Sequence, residues 1–136
     1  MKKLLAIVMI LAMMFSLIAC GVLGMSAEDK VAAYVEKNRD ELVSTMEESF
    51  GESSGMTCSS TIKAEGTGFV MEIRINELDN IPEDTKANLQ TTYDGMNSTF
   101  VSSLETMQKE LPELSYFKIN VCEKDGDLLA TILAEN

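Results

Sequence analysis

Apolar and polar residues alternate over residues 56–76, which is the pattern of a β-hairpin with one buried face. The glycines around Gly66-Thr67 interrupt the alternation and indicate a turn. A two-residue turn at this point places Ala64 opposite Phe69, so the apolar residues of both strands share one face. We therefore predict an antiparallel pair with this register.

The same alternation returns over residues 116–134, on both sides of Asp125-Gly126. This dipeptide is typical of a type I′ turn. Such a turn sets Val121 opposite Ala130 and again brings two apolar sets to one face. We predict a second hairpin that closes the chain.

Helical spacing of apolar residues precedes each hairpin. Ser26 predicts the N-cap of a first helix that runs from about Ala27 to Phe50 and ends at Gly51. A second, longer helix is predicted to begin at Pro82 and to end at Pro112. Its apolar stripe comprises Leu89, Tyr93, Met96, Phe100, Leu104, Met107 and Leu111.

This succession predicts an α+β fold in α-β-β-α-β-β order. We expect a two-layer sandwich, in which a four-stranded, mainly antiparallel sheet carries both helices on one face. Residues 26–136 are enough for one such domain and too few for two.

The N-terminal segment has the features of a secretory signal, because Lys2 and Lys3 precede an apolar run from Leu4 to Leu17. The run ends in Leu17-Ile18-Ala19-Cys20, which is followed by Gly21. This arrangement resembles the lipobox of bacterial lipoproteins.

The resemblance implies that residues 1–19 are a signal peptide and that the thiol of Cys20 carries a diacylglyceryl lipid. Two acyl chains, at about 0.8 kcal/mol per buried CH₂, would hold the protein on the cell membrane. Residues 20–25 would form a short tether to a domain on the extracytoplasmic face. The alternative is an uncleaved membrane helix over residues 4–25.

Charge narrows the range of partners. The chain has 11 basic and 22 acidic residues, and loss of Lys2 and Lys3 with the signal peptide would change the formal net charge from −11 to −13. Such a surface repels nucleic acid, so we expect no nucleic-acid partner.

The chain contains no histidine, which excludes Ser-His-Asp catalysis and most zinc sites. Three acidic clusters lack the spacing of a calcium-binding loop, and we interpret them as solvated turns and helix ends. We therefore expect no metal, no cofactor and no catalytic residue. The clusters are Glu47, Glu48 and Glu52; Asp79, Glu83 and Asp84; and Glu123, Asp125 and Asp127.

Strand alternation places Cys58 on the core-facing side of its hairpin and Cys122 on the outward side. Thiols on opposite faces of one sheet do not reach bonding distance, which opposes a disulfide between them.

The same alternation gathers Tyr116, Cys122, Leu129 and Leu133 on the outer face of the second hairpin. An apolar patch on a sheet often marks a contact surface, so we predict that it binds a protein or peptide partner or a second copy. The alternatives are ordinary exposed leucines or a tail that covers them.

The lipobox, an opening helix with Val31-Ala32-Ala33-Tyr34-Val35, the glycine-rich hairpin, the long helix and the Asp125-Gly126 hairpin together resemble an uncharacterised family of small lipoproteins from gut-dwelling clostridia. The resemblance implies a lipid on Cys20 and no assigned activity. We expect a membrane-anchored, non-catalytic binding module. A structural or self-assembling envelope protein is the alternative, and a small hydrolase is third.

Overall fold

A computed structural model describes residues 26–136, so the predicted signal peptide, the lipid on Cys20 and the tether lie outside the described residues. The described part is an α+β fold with three helices and a four-stranded mixed sheet. In chain order the elements are α1 (Ala27–Ser54), β1 (Cys58–Glu65), β2 (Gly68–Ile75), α2 (Glu83–Gly95), α3 (Asn97–Glu110), β3 (Tyr116–Glu123) and β4 (Leu128–Glu135).

The first helix begins where the sequence predicts. The Ser26 hydroxyl accepts a hydrogen bond from the Asp29 amide at 3.2 Å, which confirms the N-cap. The predicted end at Gly51 is wrong, because α1 continues for another turn. Gly55, with φ of +71°, takes the left-handed conformation that ends it.

The sheet has the order β1-β2-β3-β4. Both hairpins are antiparallel with the predicted registers, since Ala64 pairs with Phe69 and Val121 pairs with Ala130. The two central strands, β2 and β3, are parallel. A helical crossover between them returns the chain to the same end of the sheet, as parallel pairing requires. The sheet is therefore mixed, with two of its three pairings antiparallel.

The turn of the second hairpin differs from the prediction. A type I′ turn needs positive φ at both central residues, but Asp125 is not among the positive-φ residues of the described chain, whereas Gly126 has φ of +96°. The Glu123 amide donates to the Asp127 carbonyl at 2.8 Å, which closes a three-residue loop. The extra loop residue shifts the pairing by one.

A β-bulge next to Val121 restores the register. Cys122 pairs with Leu128 and Val121 pairs with Ala130, so Leu129 is the extra residue of β4. This insertion turns Leu129 inward.

The predicted long helix is two helices. Met96 separates α2 from α3 with φ of −101° and ψ of +9°, which is not an α-helical conformation. Its amide bonds to the Tyr93 carbonyl at 3.0 Å, three residues back. The helix-weakening Gly95 immediately precedes the break. The predicted start is one residue early, because Pro82 occupies the N-cap position and Glu83 is the first helical residue.

The core joins apolar residues of all three helices and of all four strands. Its largest buried side chains include Phe50 of α1, Phe69 of β2, Phe100 of α3 and Phe117 of β3. Within residues 26–136, no helix combines the length and the apolar character needed to cross a membrane.

Side chains from the helices occupy both edges of the sheet. On β1, the Ser60 amide donates to the Glu47 carboxylate at 2.8 Å. On β4, the Gln90 side chain accepts from the Thr131 amide at 2.8 Å and donates to its carbonyl at 2.9 Å. Because edge strands pair readily with other chains, these contacts protect the sheet from edge-to-edge association.

Candidate functional site

Only part of the predicted apolar patch lies on the outer face as the sequence indicates. Leu129 is 4% exposed and belongs to the core, because the bulge turns it inward; its placement on the outer face was wrong. Leu133 is 42% exposed on β4, as the alternation predicts. The Tyr116 ring lies against Gly68 of β2, and its hydroxyl donates to the Glu65 carbonyl at 2.9 Å. The ring therefore leans away from β4.

Cys122 lies on the outer face, opposite Arg74 and Leu128, but it is buried there. Cys58 packs against the core. Both are free thiols in the described part of the chain. Burial raises the pKa of the Cys58 thiol to about 11 and also raises the pKa of the Cys122 thiol. Both thiols therefore stay protonated at neutral pH, and a protonated thiol is a poor nucleophile.

A pocket of about 240 Å³ lies where the helical crossover breaks beside β4. Tyr93, Asp94, Asn97 and Phe100 line its helical side. Consecutive residues Thr131, Ile132 and Leu133 line its strand side. The pocket is smaller than the roughly 300–1,000 Å³ typical of drug-sized ligand sites, so it suits a small molecule.

Two glutamines attach the helices to β4 and to the residue that follows it, on either side of the break. Gln90 of α2 holds the Thr131 backbone. Gln108 of α3 donates to the Asn136 side chain at 3.2 Å and accepts from it at 3.1 Å. The break at Met96 lies between these attachments, and the pocket lies beside it.

Tyr93 is the unusual member of the pocket wall. The residue is 2% exposed, and its buried hydroxyl has no hydrogen-bond partner in residues 26–136. Burial alone raises its pKa well above the usual value, so the hydroxyl stays protonated. Buried polar groups are nearly always satisfied, so the Tyr93 hydroxyl is an exception that needs an explanation, such as local strain, a bound water or ion, or a functional role.

The other polar side chains that line the pocket differ in whether they already form hydrogen bonds within the protein. The Asp94 carboxylate is exposed and accepts from the Gln90 amide at 2.9 Å. The Thr131 hydroxyl donates to Asn120 at 3.2 Å. Asn97 is exposed in the first turn of α3. Asp94 and Asn97 therefore offer exposed hydrogen-bonding groups on the helical side of the pocket, and Phe100 and Ile132 contribute apolar lining.

The fold brings together acidic residues from two of the clusters seen in the sequence. Asp79, Glu123 and Asp125 bring carboxylate oxygens within 4.8 Å of one another. Glu123 is buried and accepts from the Ile81 amide at 2.6 Å, and Asp79 pairs with Lys124 at 2.7 Å. These bonds hold the loop between β2 and α2 against the end of β3, which gives the cluster a structural role.

Sequence reasoning missed the pocket. Tyr93 and Phe100 fit the apolar stripe of the predicted helix, and both are buried. The signal that could have located the pocket is Gly95, which lies midway along the stripe and beside the break.

The chain matches no family model, no curated protein and no solved structure. Its function is therefore inferred from the chemistry of the site.

Proposed function

We propose that this protein is a lipid-anchored, extracytoplasmic binding lipoprotein whose domain takes a small ligand in the pocket beside β4. The observation that carries the proposal is the pocket itself, whose lining includes Tyr93, a residue with a buried hydroxyl that is unpartnered among the described residues. A ligand that bonds to it would satisfy a group whose burial the protein otherwise leaves uncompensated.

The anchor in this proposal rests on the sequence. The segment Leu17-Ile18-Ala19-Cys20 follows a basic and then an apolar segment, as in lipoproteins. A diacylglyceryl group on Cys20 would keep the domain at the membrane surface.

The proposal includes a two-layer arrangement, with the helices on one face of the sheet. Its support is the composition of the core, which joins apolar residues of all three helices to alternate residues of the strands. Polar residues such as Lys63, Glu72 and Lys118 occupy the intervening positions.

The proposed role is binding without catalysis. The chain has no histidine to act as a general base, and the thiols of Cys58 and Cys122 are protonated at neutral pH. A small hydrolase would need a base and nucleophile pair that these residues do not form.

Self-association is the second candidate. Leu128 and Leu133 are 51% and 42% exposed, and both lie on β4. Because Glu47 and Gln90 occupy the strand edges, a second copy would dock on the open face of the sheet and not by strand addition.

The anchor is tested by the intact mass of the mature chain extracted from bacterial membranes. We expect a chain that begins at Cys20 and carries diacylglyceryl, and a Cys20→Ser variant that keeps its signal peptide and lacks lipid. An unmodified first residue other than cysteine would contradict the proposed anchor.

The pocket is tested on the chain from residue 20 to residue 136, which includes every described element. A Cys20→Ser change prevents oxidation of the N-terminal thiol. An NMR screen with small neutral fragments should shift the backbone amides of Tyr93, Asn97 and Leu133.

Leu133→Trp would fill the pocket mouth and abolish these shifts. Leu128→Trp is the matched control, because it adds the same ring to an exposed position of β4 that does not line the pocket. The proposed site would be contradicted if fragments still bound to the Leu133→Trp variant. It would also be contradicted if no fragment bound to the chain with Leu133 intact. The molecular mass of both variants in solution tests self-association.

A further inference from the structure

The described residues that line the pocket include one charged side chain, and it is acidic. Asp94 contributes a carboxylate to its wall, and no lysine or arginine is among the described residues that line it. The whole chain also carries a formal net charge of −11. An anionic ligand would meet a carboxylate without a compensating cation, so the site disfavours it.

We infer that the ligand of this pocket is a small organic cation, with an ammonium or amidinium group on a compact apolar or aromatic body. Asp94 is its counter-ion. This inference rests on the proposed function, because it concerns the class of ligand that the same pocket takes.

Tyr93 provides a second contact for such a group. Its hydroxyl is unpartnered in the described structure, and a hydroxyl oxygen accepts hydrogen bonds from ammonium N–H groups. Tyr93 and Asp94 both line the pocket. One ammonium group has three donors, enough for the carboxylate, the hydroxyl and a water molecule.

The apolar part of the wall suits the body of the ligand. The Tyr93 and Phe100 rings have centroids 6.2 Å apart and are tilted by 56°. Aromatic faces attract cations as well as apolar groups. Ile132 adds aliphatic surface from the strand side. At about 240 Å³ the pocket has the volume of a single substituted ring.

Three probes of matched shape separate charge from shape: benzylammonium, benzyl alcohol and benzoate. Each is titrated against the chain from residue 20 to residue 136, with Cys20→Ser, at low salt and neutral pH. We expect benzylammonium to bind most tightly, benzyl alcohol more weakly and benzoate least, with the shifts centred on Tyr93, Asp94 and Leu133. Added salt should weaken only the binding of benzylammonium.

Asp94→Asn removes the charge but keeps an oxygen that accepts from Gln90. Because Asp94 is exposed, we expect a loss of roughly two- to fivefold in benzylammonium affinity, with benzyl alcohol unchanged. Asp40→Asn is the matched control, since it makes the same charge change at an exposed position of α1. The midpoint of thermal unfolding verifies that both variants fold.

The outcomes separate this inference from the proposed function. The inference that the ligand is a cation would be wrong if benzyl alcohol or benzoate bound as tightly as benzylammonium. It would also be wrong if Asp94→Asn and Asp40→Asn lost equal affinity. Either result would leave the pocket as a binding site. If none of the three probes bound while neutral fragments of other shapes did, the inference of a cationic ligand would also be wrong. Failure of every fragment would remove the proposed function itself.

Discussion

Replacing Tyr93 with phenylalanine should stabilise the protein. The substitution removes a single oxygen that is buried and has no partner in the described structure. The ring stays in its contact with Phe100, so the apolar packing is kept.

The magnitude follows from the cost of burying a hydroxyl without a hydrogen bond. Protein mutational data place this cost at about 1–3 kcal/mol. We therefore expect Tyr93→Phe to raise the free energy of unfolding by about 1–3 kcal/mol. For a domain of this size, each kcal/mol moves the unfolding midpoint by roughly 4 °C, so the midpoint should rise by roughly 4–12 °C.

The assay is urea and thermal unfolding of the ligand-free chain, followed by circular dichroism. Tyr116→Phe is the matched control, because it removes the same atom from a hydroxyl that donates to the Glu65 carbonyl and carboxylate at 2.9 and 3.0 Å. That hydroxyl is exposed to water, so its loss should change stability by less than about 1 kcal/mol and in the opposite direction.

A Tyr93→Phe variant that is less stable than the parent would refute this reasoning. It would mean that the hydroxyl is already satisfied in the free protein. A stabilised variant that also loses fragment binding would instead indicate that the oxygen is kept for a ligand.

Three further predictions concern other parts of the fold. Leu129→Ala should cost about 2–5 kcal/mol of stability because Leu129 is a core residue, whereas Leu133→Ala should stay within about 0.5 kcal/mol; similar unfolding midpoints would contradict the bulge. Gly126→Ala should cost about 1–2 kcal/mol in urea unfolding, because its φ of +96° disfavours a side chain, and an unchanged midpoint would contradict this loop. The hydrogen bond from Lys30 lowers the pKa of Glu113, so its stabilisation is present above the ordinary glutamate pKa and is lost as pH falls through the lowered value. Lys30→Gln should therefore lower the urea midpoint at pH 7 and less at pH 3, and an equal difference at both pH values would count against the pairing.

The sequence could predict most elements and both hairpin registers, because period-two alternation and a turn of known length fix which residues face each other. Ile62 and Met71, for example, pair as expected and face the core. The parallel pairing of β2 with β3 was not readable, because it depends on where the crossover returns the chain.

The errors have local physical causes. Alternation assigned Leu129 to the outer face because a two-residue turn at Asp125-Gly126 was assumed. The loop has three residues, and between the loop and the compensating bulge two side chains change direction, with Leu128 turned outward and Leu129 turned inward. A one-residue insertion of this kind leaves the register at Val121 unchanged and so leaves no trace in the apolar pattern.

The pocket could not be derived from the periodic pattern either. The apolar stripe passes through Tyr93, Met96 and Phe100 without a gap, although the helix breaks at Met96. Whether such a break opens a pocket depends on the strand beside it, which is a long-range property. The unpartnered hydroxyl of Tyr93 is visible only when its surroundings are known.

The most direct test of the account is a crystal structure of the mature chain with benzylammonium or another bound fragment. We predict a polar atom of the fragment within hydrogen-bond distance, about 2.5–3.2 Å, of the Tyr93 hydroxyl, with the fragment body between Phe100 and Ile132. A fragment seated on the open face of the sheet, or a Tyr93 hydroxyl that bonds only to the protein, would contradict the account.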